Sequence, residues 1–232
     1  MNTLEQKWAL VTGATRGIGK VIAEELGRRG CNVIVHGRTA SACAATVDRI
    51  TAMGRESFAI AAALEDAAQV QQLIDTAMQH TGGVDILYNN AGLQNAWREI
   101  SDLTYEDWQH TFAVNVFAPA MLCAAFVPVM KSRGFGRIAN VSSGIQDCPQ
   151  LSPYGAAKWA IDKYTAELAA ELQGTNVMVN AIDPGWIKTD LGGPNADHEI
   201  DTVLPGMMVP ILVQPGDPTG HKFRAQDFKH LK

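Results

Sequence analysis

Trp8-Ala9-Leu10-Val11-Thr12-Gly13-Ala14-Thr15-Arg16-Gly17-Ile18-Gly19 is the stretch on which the reading of the whole chain turns. Four apolar residues stop abruptly at a glycine-rich turn, which predicts a buried first strand over Trp8–Val11. Ile18, Ile22 and Leu26 then recur at helical spacing, which predicts a helix over 18–28. In such a strand–turn–helix, Gly13 permits the sharp turn and Gly17 lets a phosphate approach the backbone. Gly19 lets the helix pack closely on the strand. The helix N-terminus offers unpaired N–H groups to an anion, which suits a pyrophosphate. The spacing is G-x-x-x-G-x-G, not the usual G-x-G-x-x-G, and any strand-to-helix turn can use glycines.

The alternation continues outward from this turn. Further strands are expected over residues 33–35, 58–60, 84–88, 137–141 and 177–182, with helices over 41–53, 67–80, 104–133 and 154–172. Six strands alternating with helices specify a parallel α/β sheet covered on both faces. Beyond residue 183, repeated prolines and glycines break the helical pattern. Residues 183–215 read as a substrate-side flap with short helices, and 221–225 as a seventh, edge-type strand. The 232 residues fit one domain over 1–232.

Composition excludes several functions. At 47% apolar and 19% charged residues, the chain can bury a sizeable core. A net charge of −5 without a basic block gives no reason to expect nucleic-acid binding. Cys31, Cys43, Cys123 and Cys148 form neither a CxxC pair nor a disulfide framework, so reduced thiols are expected. The six histidines contain no HExxH, and no metal is expected. The first residues carry no signal-peptide pattern, which points to the cytoplasm. Residues 112–130 hold no charge and reach the minimum length for a membrane span. Asn115, Pro119 and Pro128 within them favour instead a helix buried on most faces, by its own core and by a partner subunit.

Two further stretches carry chemistry. At the tip of the second strand, Val33-Ile34-Val35-His36-Gly37-Arg38 has no carboxylate to hold a ribose 2′-hydroxyl. Arg38 and Arg16 are placed to grip a 2′-phosphate from two sides, which favours NADP over NAD. Tyr154 and Lys158 stand one helical turn apart, so phenol and ammonium share a face. A neighbouring ammonium is expected to lower the tyrosine pKa and ready it for proton transfer with a carbonyl or alcohol. Ser142-Ser143 end the preceding strand, where a hydroxyl reaches a substrate oxygen.

Taken in order, these residues resemble the short-chain dehydrogenase/reductase family, and within it the carbonyl reductases. Thr12–Gly19 is similar to the family's cofactor turn, and Asn89-Asn90-Ala91-Gly92 to its signature after the fourth strand. Asn115 is similar to its catalytic amide, Ser143 to its serine, Tyr154 and Lys158 to its Tyr-x-x-x-Lys pair, and Pro184-Gly185 to its motif after the sixth strand. The resemblance implies a Rossmann-type, doubly wound sheet of about seven strands. It implies hydride transfer between NADP(H) and a small-molecule carbonyl or secondary alcohol. Tyr154 would be the general acid–base, Ser143 would bind the substrate oxygen, Lys158 the cofactor ribose, and Asn115 would anchor a relay water. Cofactor contacts would come from Gly13, Thr15, Arg16, Gly17, Ile18, Gly19, Arg38, Leu64, Asn90, Ala91, Gly92, Tyr154, Lys158, Pro184, Gly185, Ile187 and Thr189.

Departures from the family pattern matter too. Ala63 stands where many relatives carry a polar adenine-binding side chain, leaving backbone contacts around Leu64. The run from Ser143 to Tyr154 is short, which keeps Ser142 as the fallback serine. The C-terminal tail lacks the usual glycine pair. As in many relatives, the 104–133 and 154–172 helices would form a two-fold interface, giving a homodimer or homotetramer. Residues 93–101, 144–152 and 186–210 would line the substrate pocket. Trp97, Trp186, Met207 and Met208 stand as apolar walls or as core. Two other functions stay open on the same fold: a non-catalytic NADP-binding regulatory or scaffold protein, and a nicotinamide-dependent epimerase or dehydratase.

Overall fold

Seven parallel strands in the order β3-β2-β1-β4-β5-β6-β7 form the core of a computed structural model that describes residues 4–230. They are β1 (Trp8–Val11), β2 (Asn32–Gly37), β3 (Ser57–Ala61), β4 (Ile86–Asn89), β5 (Gly136–Val141), β6 (Val177–Asp183) and β7 (Lys222–Arg224). Crossover helices α1 (Gly17–Arg28), α2 (Ala40–Ala52) and α3 (Ala67–Thr81) join the first four strands. They are followed by α4 (Tyr105–Phe112), α5 (Ala118–Arg133), α6 (Ser152–Glu171) and the short α7 (Val209–Leu212).

Strands flanked on both faces are largely apolar, and their apolar side chains divide between two cores. Leu10, Ile34, Leu87 and Ile138 pack under α3, α5 and α6. Ala9, Val11, Val33, Val35 and Tyr88 pack under α1, α2 and α7. Strand order reverses between β1 and β4, so a crevice opens at their carboxyl ends, where ligands of such sheets bind. The doubly wound α/β sheet is as expected, and the edge strand at 222–224 is present.

Two local features differ from the expectation. The fourth strand starts at Ile86 rather than residue 84. The apolar helix over 104–133 is interrupted, because Ala113–Phe117 forms a π-helical turn between α4 and α5. That helix, taken from Tyr105 to Arg133, is long and apolar enough to cross a membrane by length and composition. Only 39% of its most apolar window is buried. Less than half of that window therefore faces the chain's own core. Met207 and Met208 are fully buried beneath the sheet, where the Tyr88 hydroxyl donates to the Met207 carbonyl; they are core, not pocket wall.

Candidate active site

The glycine turn is held from both sides. Gly13 has a left-handed φ of 64°, and a β-carbon there would lie 3.0 Å from Ala91 Cα. Thr12 Oγ1 accepts the backbone N–H groups of Asn90 and Ala91, each at 3.0 Å. Asn90 Nδ2 donates to the carbonyls of Thr12 at 2.9 Å and Gly13 at 3.2 Å. The Asn90-Ala91-Gly92 segment thus locks the turn to the end of β4, which places these predicted residues together at the crevice. Arg16, the residue before α1, offers no side-chain cap, so the first N–H groups of the helix remain available to an anion. Ile18 is half-buried against the α1–α2 core, and Thr189 from the flap rests above Gly17, its methyl 3.6 Å from where a β-carbon would stand.

His36 completes the turn. Gly13 N donates to His36 Nδ1 at 3.1 Å, and the other ring nitrogen lies 3.1 Å from the Ala62 carbonyl. With Nδ1 accepting, the proton is assigned to Nε2, which donates to Ala62. Burial pushes the pKa of this imidazole below its ordinary 6.5. The folded state refuses a proton that the unfolded chain accepts, so stability is full above about pH 6.5 and declines as pH falls below it. The loss at pH 5.5 is at most about 1.4 kcal/mol. The urea midpoint should drop between pH 7.5 and 5.5, and less in His36→Gln. Equal drops in both proteins would refute this role.

The two arginines differ in their surroundings. Arg16 Nε lies 3.1 Å from Asp190 Oδ2, an exposed ion pair between the turn and the flap. Arg38 is exposed and has no charged partner among the described residues. Next to Arg38 in the chain, Gly37 is tightly enclosed by Thr15 Cγ2 and Cys43 Sγ, which a β-carbon there would meet. Leu64, shortly after β3, is buried.

The second cluster lies beyond β4 and β5. Tyr154 and Lys158 are one turn apart on α6, with Lys158 Nζ 5.4 Å from the centre of the Tyr154 ring. The ammonium stands over the ring and makes no hydrogen bond with the phenol hydroxyl, however. It donates to the Val141 carbonyl at 2.9 Å. The tyrosine pKa is accordingly not lowered. Burial pushes it up to about 12, opposed by a hydrogen bond with the Ser143 side chain and reinforced by the Asp183 charge. Burial also brings the Lys158 ammonium down to about 8. Spacing alone therefore gives the wrong direction for Tyr154, because burial outweighs an ammonium hydrogen-bonded elsewhere. Ser143 is the serine that acts on the Tyr154 pKa, while Ser142 is buried with an unpartnered hydroxyl.

Asn115 sits inside the π-helical turn, a distortion often found at functional sites. Its Nδ2 donates to the carbonyls of Leu93 at 2.7 Å and Thr111 at 2.8 Å. Its Oδ1 is buried with no partner. A β-carbon on Gly92 would lie 3.5 Å from that oxygen and 3.7 Å from Lys158 Nζ, so the bare side of Gly92 opens a small cradle between them. On the flap side, Pro184 and Gly185 follow β6, Gly185 with φ 84°, and Ile187 is buried. Trp97 and Trp186 are exposed at the rim.

Several side chains that hold the site carry no signal in the sequence. Asn95 Oδ1 accepts the Tyr154 N–H at 3.3 Å, and its Nδ2 donates to the Gln150 carbonyl at 3.1 Å, bridging two loops at the start of α6. Asp183 Oδ1 accepts Gly185 N at 2.9 Å. Gln226 Nε2 donates to the Pro184 carbonyl at 3.0 Å, standing in the tail that lacks the usual glycines. Gln226 and Pro184 are 42 residues apart in the chain, and Asn95 and Tyr154 are 59 apart, so only the fold pairs them. Among the described residues there is no cluster of metal-ligating side chains.

Comparison with known proteins identifies the family and the fold. A family model of the short chain dehydrogenases matches residues 7–200. Dehydrogenase/reductase SDR family member 4 of Mus musculus is 34% identical, covering 94% of this chain and 80% of its own. Blue fluorescent protein from a metagenomic library, solved in complex with NADPH, is 30% identical. It superposes with a TM-score of 0.84 over 95% of this chain and 96% of its own. An NAD+-bound xylitol dehydrogenase, at 22% identity and a TM-score of 0.86 over 96% and 98%, shares the fold. The turn, the Asn90–Gly92 lock and the Ser143–Tyr154–Lys158 cluster thus stand on a known scaffold, and the chain belongs to the short-chain dehydrogenase family of nicotinamide-dependent oxidoreductases.

Proposed function

We propose that the protein transfers hydride between NADP(H) and a carbonyl or secondary alcohol, with Tyr154 as general acid–base. The observation that carries this reading is the cluster in which the Ser143 side chain lies close enough to Tyr154 to oppose the rise of its pKa, while Lys158 Nζ and Asn115 Oδ1 converge on the bare side of Gly92. Ser143 and Tyr154 hold the substrate oxygen and stabilise the charge that develops on it. Tyr154, protonated at neutral pH, gives that oxygen its proton. Lys158 would hold the cofactor ribose, and the unpartnered Asn115 Oδ1 would accept from a bridging water in the proton path.

The residues present fit a dinucleotide. The uncapped N-terminus of α1 would receive its pyrophosphate, with Thr189 close by, and the Asn90–Gly92 and Pro184–Ile187 segments would hold the rest of the group. NADPH, when bound, supplies the hydride. Preference for NADPH is supported by Gly37, where Thr15 and Cys43 leave no room for a carboxylate, and by the unpaired Arg38 beside it. Arg38→Leu should weaken NADPH by roughly 10- to 100-fold, the value of a charge-assisted hydrogen bond, and leave NADH unchanged. Aspartate at 37 would test packing as much as cofactor choice.

A panel of aryl ketones, diketones and polyols, followed by nicotinamide absorbance with NADPH and NADH, tests the activity. No turnover with any member, or equal use of the two cofactors, would contradict the reading. Tyr105, Trp108 and Phe117 from the long helix and Trp159 from α6 are exposed. They support the two-fold pairing of these helices. A monomeric mass by light scattering at micromolar concentration would contradict that pairing.

A further inference from the structure

Ladder pairing to β6 ends at Ser142, whose N–H donates to the Ile182 carbonyl at 2.8 Å. Ser143 is the first residue beyond it, and the loop that follows contains Asp147 at a left-handed φ of 50°. The Ser143 hydroxyl is itself engaged locally, accepting the Ile145 N–H at 3.1 Å. The direction of this side chain therefore depends on where its own backbone is fixed. A lysine on the edge strand reaches that backbone. Lys222 Nζ, from β7, donates to the Ser143 carbonyl at 2.7 Å and to Asp162 Oδ2 at 2.8 Å. Asp162 lies one turn after Lys158 on α6, and its other oxygen is buried without a partner.

We infer that Lys222 is a positioning residue that fixes the Ser143 backbone against α6 through its shared contact with Asp162. The inference rests on the proposed activity for its catalytic consequence, but not for its structural one. Three elements meet at one ammonium: β7, the loop after β5, and α6 downstream of Tyr154 and Lys158. Ordering a lysine side chain costs up to about 2 kcal/mol of rotamer freedom, so a half-exposed lysine held by two acceptors is an engaged one. The same charges reach the active-site lysine: Asp162 favours protonated Lys158, and Lys222 opposes it. Removing Lys222 would release the Ser143 carbonyl and leave Asp162 facing Lys158 alone. Errors of about 1 Å in a reacting group cost up to about 100-fold in rate, so a loose Ser143 should be visible in turnover.

The test uses the full chain and two readouts. Amide hydrogen exchange over residues 142–152 needs no substrate, and the Ile145 N–H reports directly on the Ser143 hydroxyl. Lys222→Met is expected to speed exchange there about tenfold or more. It should also lower kcat about tenfold on the most active carbonyl of the panel, with the NADPH Kd within about twofold. Lys222→Arg should restore both, since a guanidinium also bridges a carbonyl and a carboxylate. Asp162→Asn should act in the same direction, and the double variant should lose no more than the worse single, because the two groups work as one clamp. Unchanged exchange in Lys222→Met, or additive losses in the double variant, would overturn the inference. Should Lys222→Met fail to fold, Asp162→Asn decides, and wild-type exchange in it overturns the clamp. A panel without turnover would sink the proposed activity and leave the exchange result standing.

Discussion

Tyr154→Phe is expected to fold, to bind NADPH with little change, and to lose about 10²–10⁴-fold in turnover, the usual contribution of one general acid. That is roughly 3–5 kcal/mol of transition-state stabilisation. Binding should survive because the turn and the Asn90–Gly92 lock do not involve the phenol. With its pKa up near 12, the tyrosine holds its proton throughout the working range, which suits the reductive direction. Lys158, brought down to about 8, loses its charge first as pH rises. The reductive rate should accordingly be flat below about pH 8 and fall above it, on account of the lysine. Ser143→Ala should lose turnover while Ser142→Ala largely keeps it, because Ser143 is the one that acts on the Tyr154 pKa. Near-normal reduction by Tyr154→Phe would show that another group supplies the proton.

The sheet is written plainly in the chain. The alternation of apolar runs and helical spacing locates every strand to within a few residues, because strands covered on both faces leave a continuous apolar signature. The spacing from Tyr154 to Lys158 places both on one face of α6. It cannot reveal that the ammonium turns to the Val141 carbonyl, or that burial dominates the phenol. The π-helical turn around Asn115 is hidden for a similar reason. Its side chain bonds to the Leu93 carbonyl, 22 residues away, and nothing local marks that. Met207 and Met208 are ambiguous because an apolar residue reads alike in a pocket wall and in a core. Lys222 reads as one more surface charge, and its role depends on a strand at the sheet's edge lying beside the loop after β5.

Gly19→Ala is expected to be the most damaging of the small changes for cofactor binding. Inside a helix, glycine-to-alanine ordinarily stabilises by about 1 kcal/mol. At position 19 the added carbon would lie 2.2 Å from the Gly13 carbonyl oxygen and 2.4 Å from Asn90 Nδ2. The first is backbone of the turn itself, and the second is fixed by its own bonds to Thr12 and Gly13. Relief therefore requires either α1 or the turn to move. Overpacking of this kind costs about 1–3 kcal/mol, and the two Asn90 hydrogen bonds about 1 kcal/mol each. Against the gain in helix propensity, a net loss of about 2–4 kcal/mol remains, less than the roughly 5–15 kcal/mol of a typical domain. The variant should fold with a lowered melting temperature. Its NADPH affinity should fall about 100-fold or more, because the displaced backbone is the phosphate cradle. Gly155→Ala in α6 is the control: nothing lies within 4 Å of its added carbon, so it should be neutral or stabilising. If Gly19→Ala binds NADPH as tightly as Gly155→Ala does, the close approach of α1 to the turn is not what shapes the site.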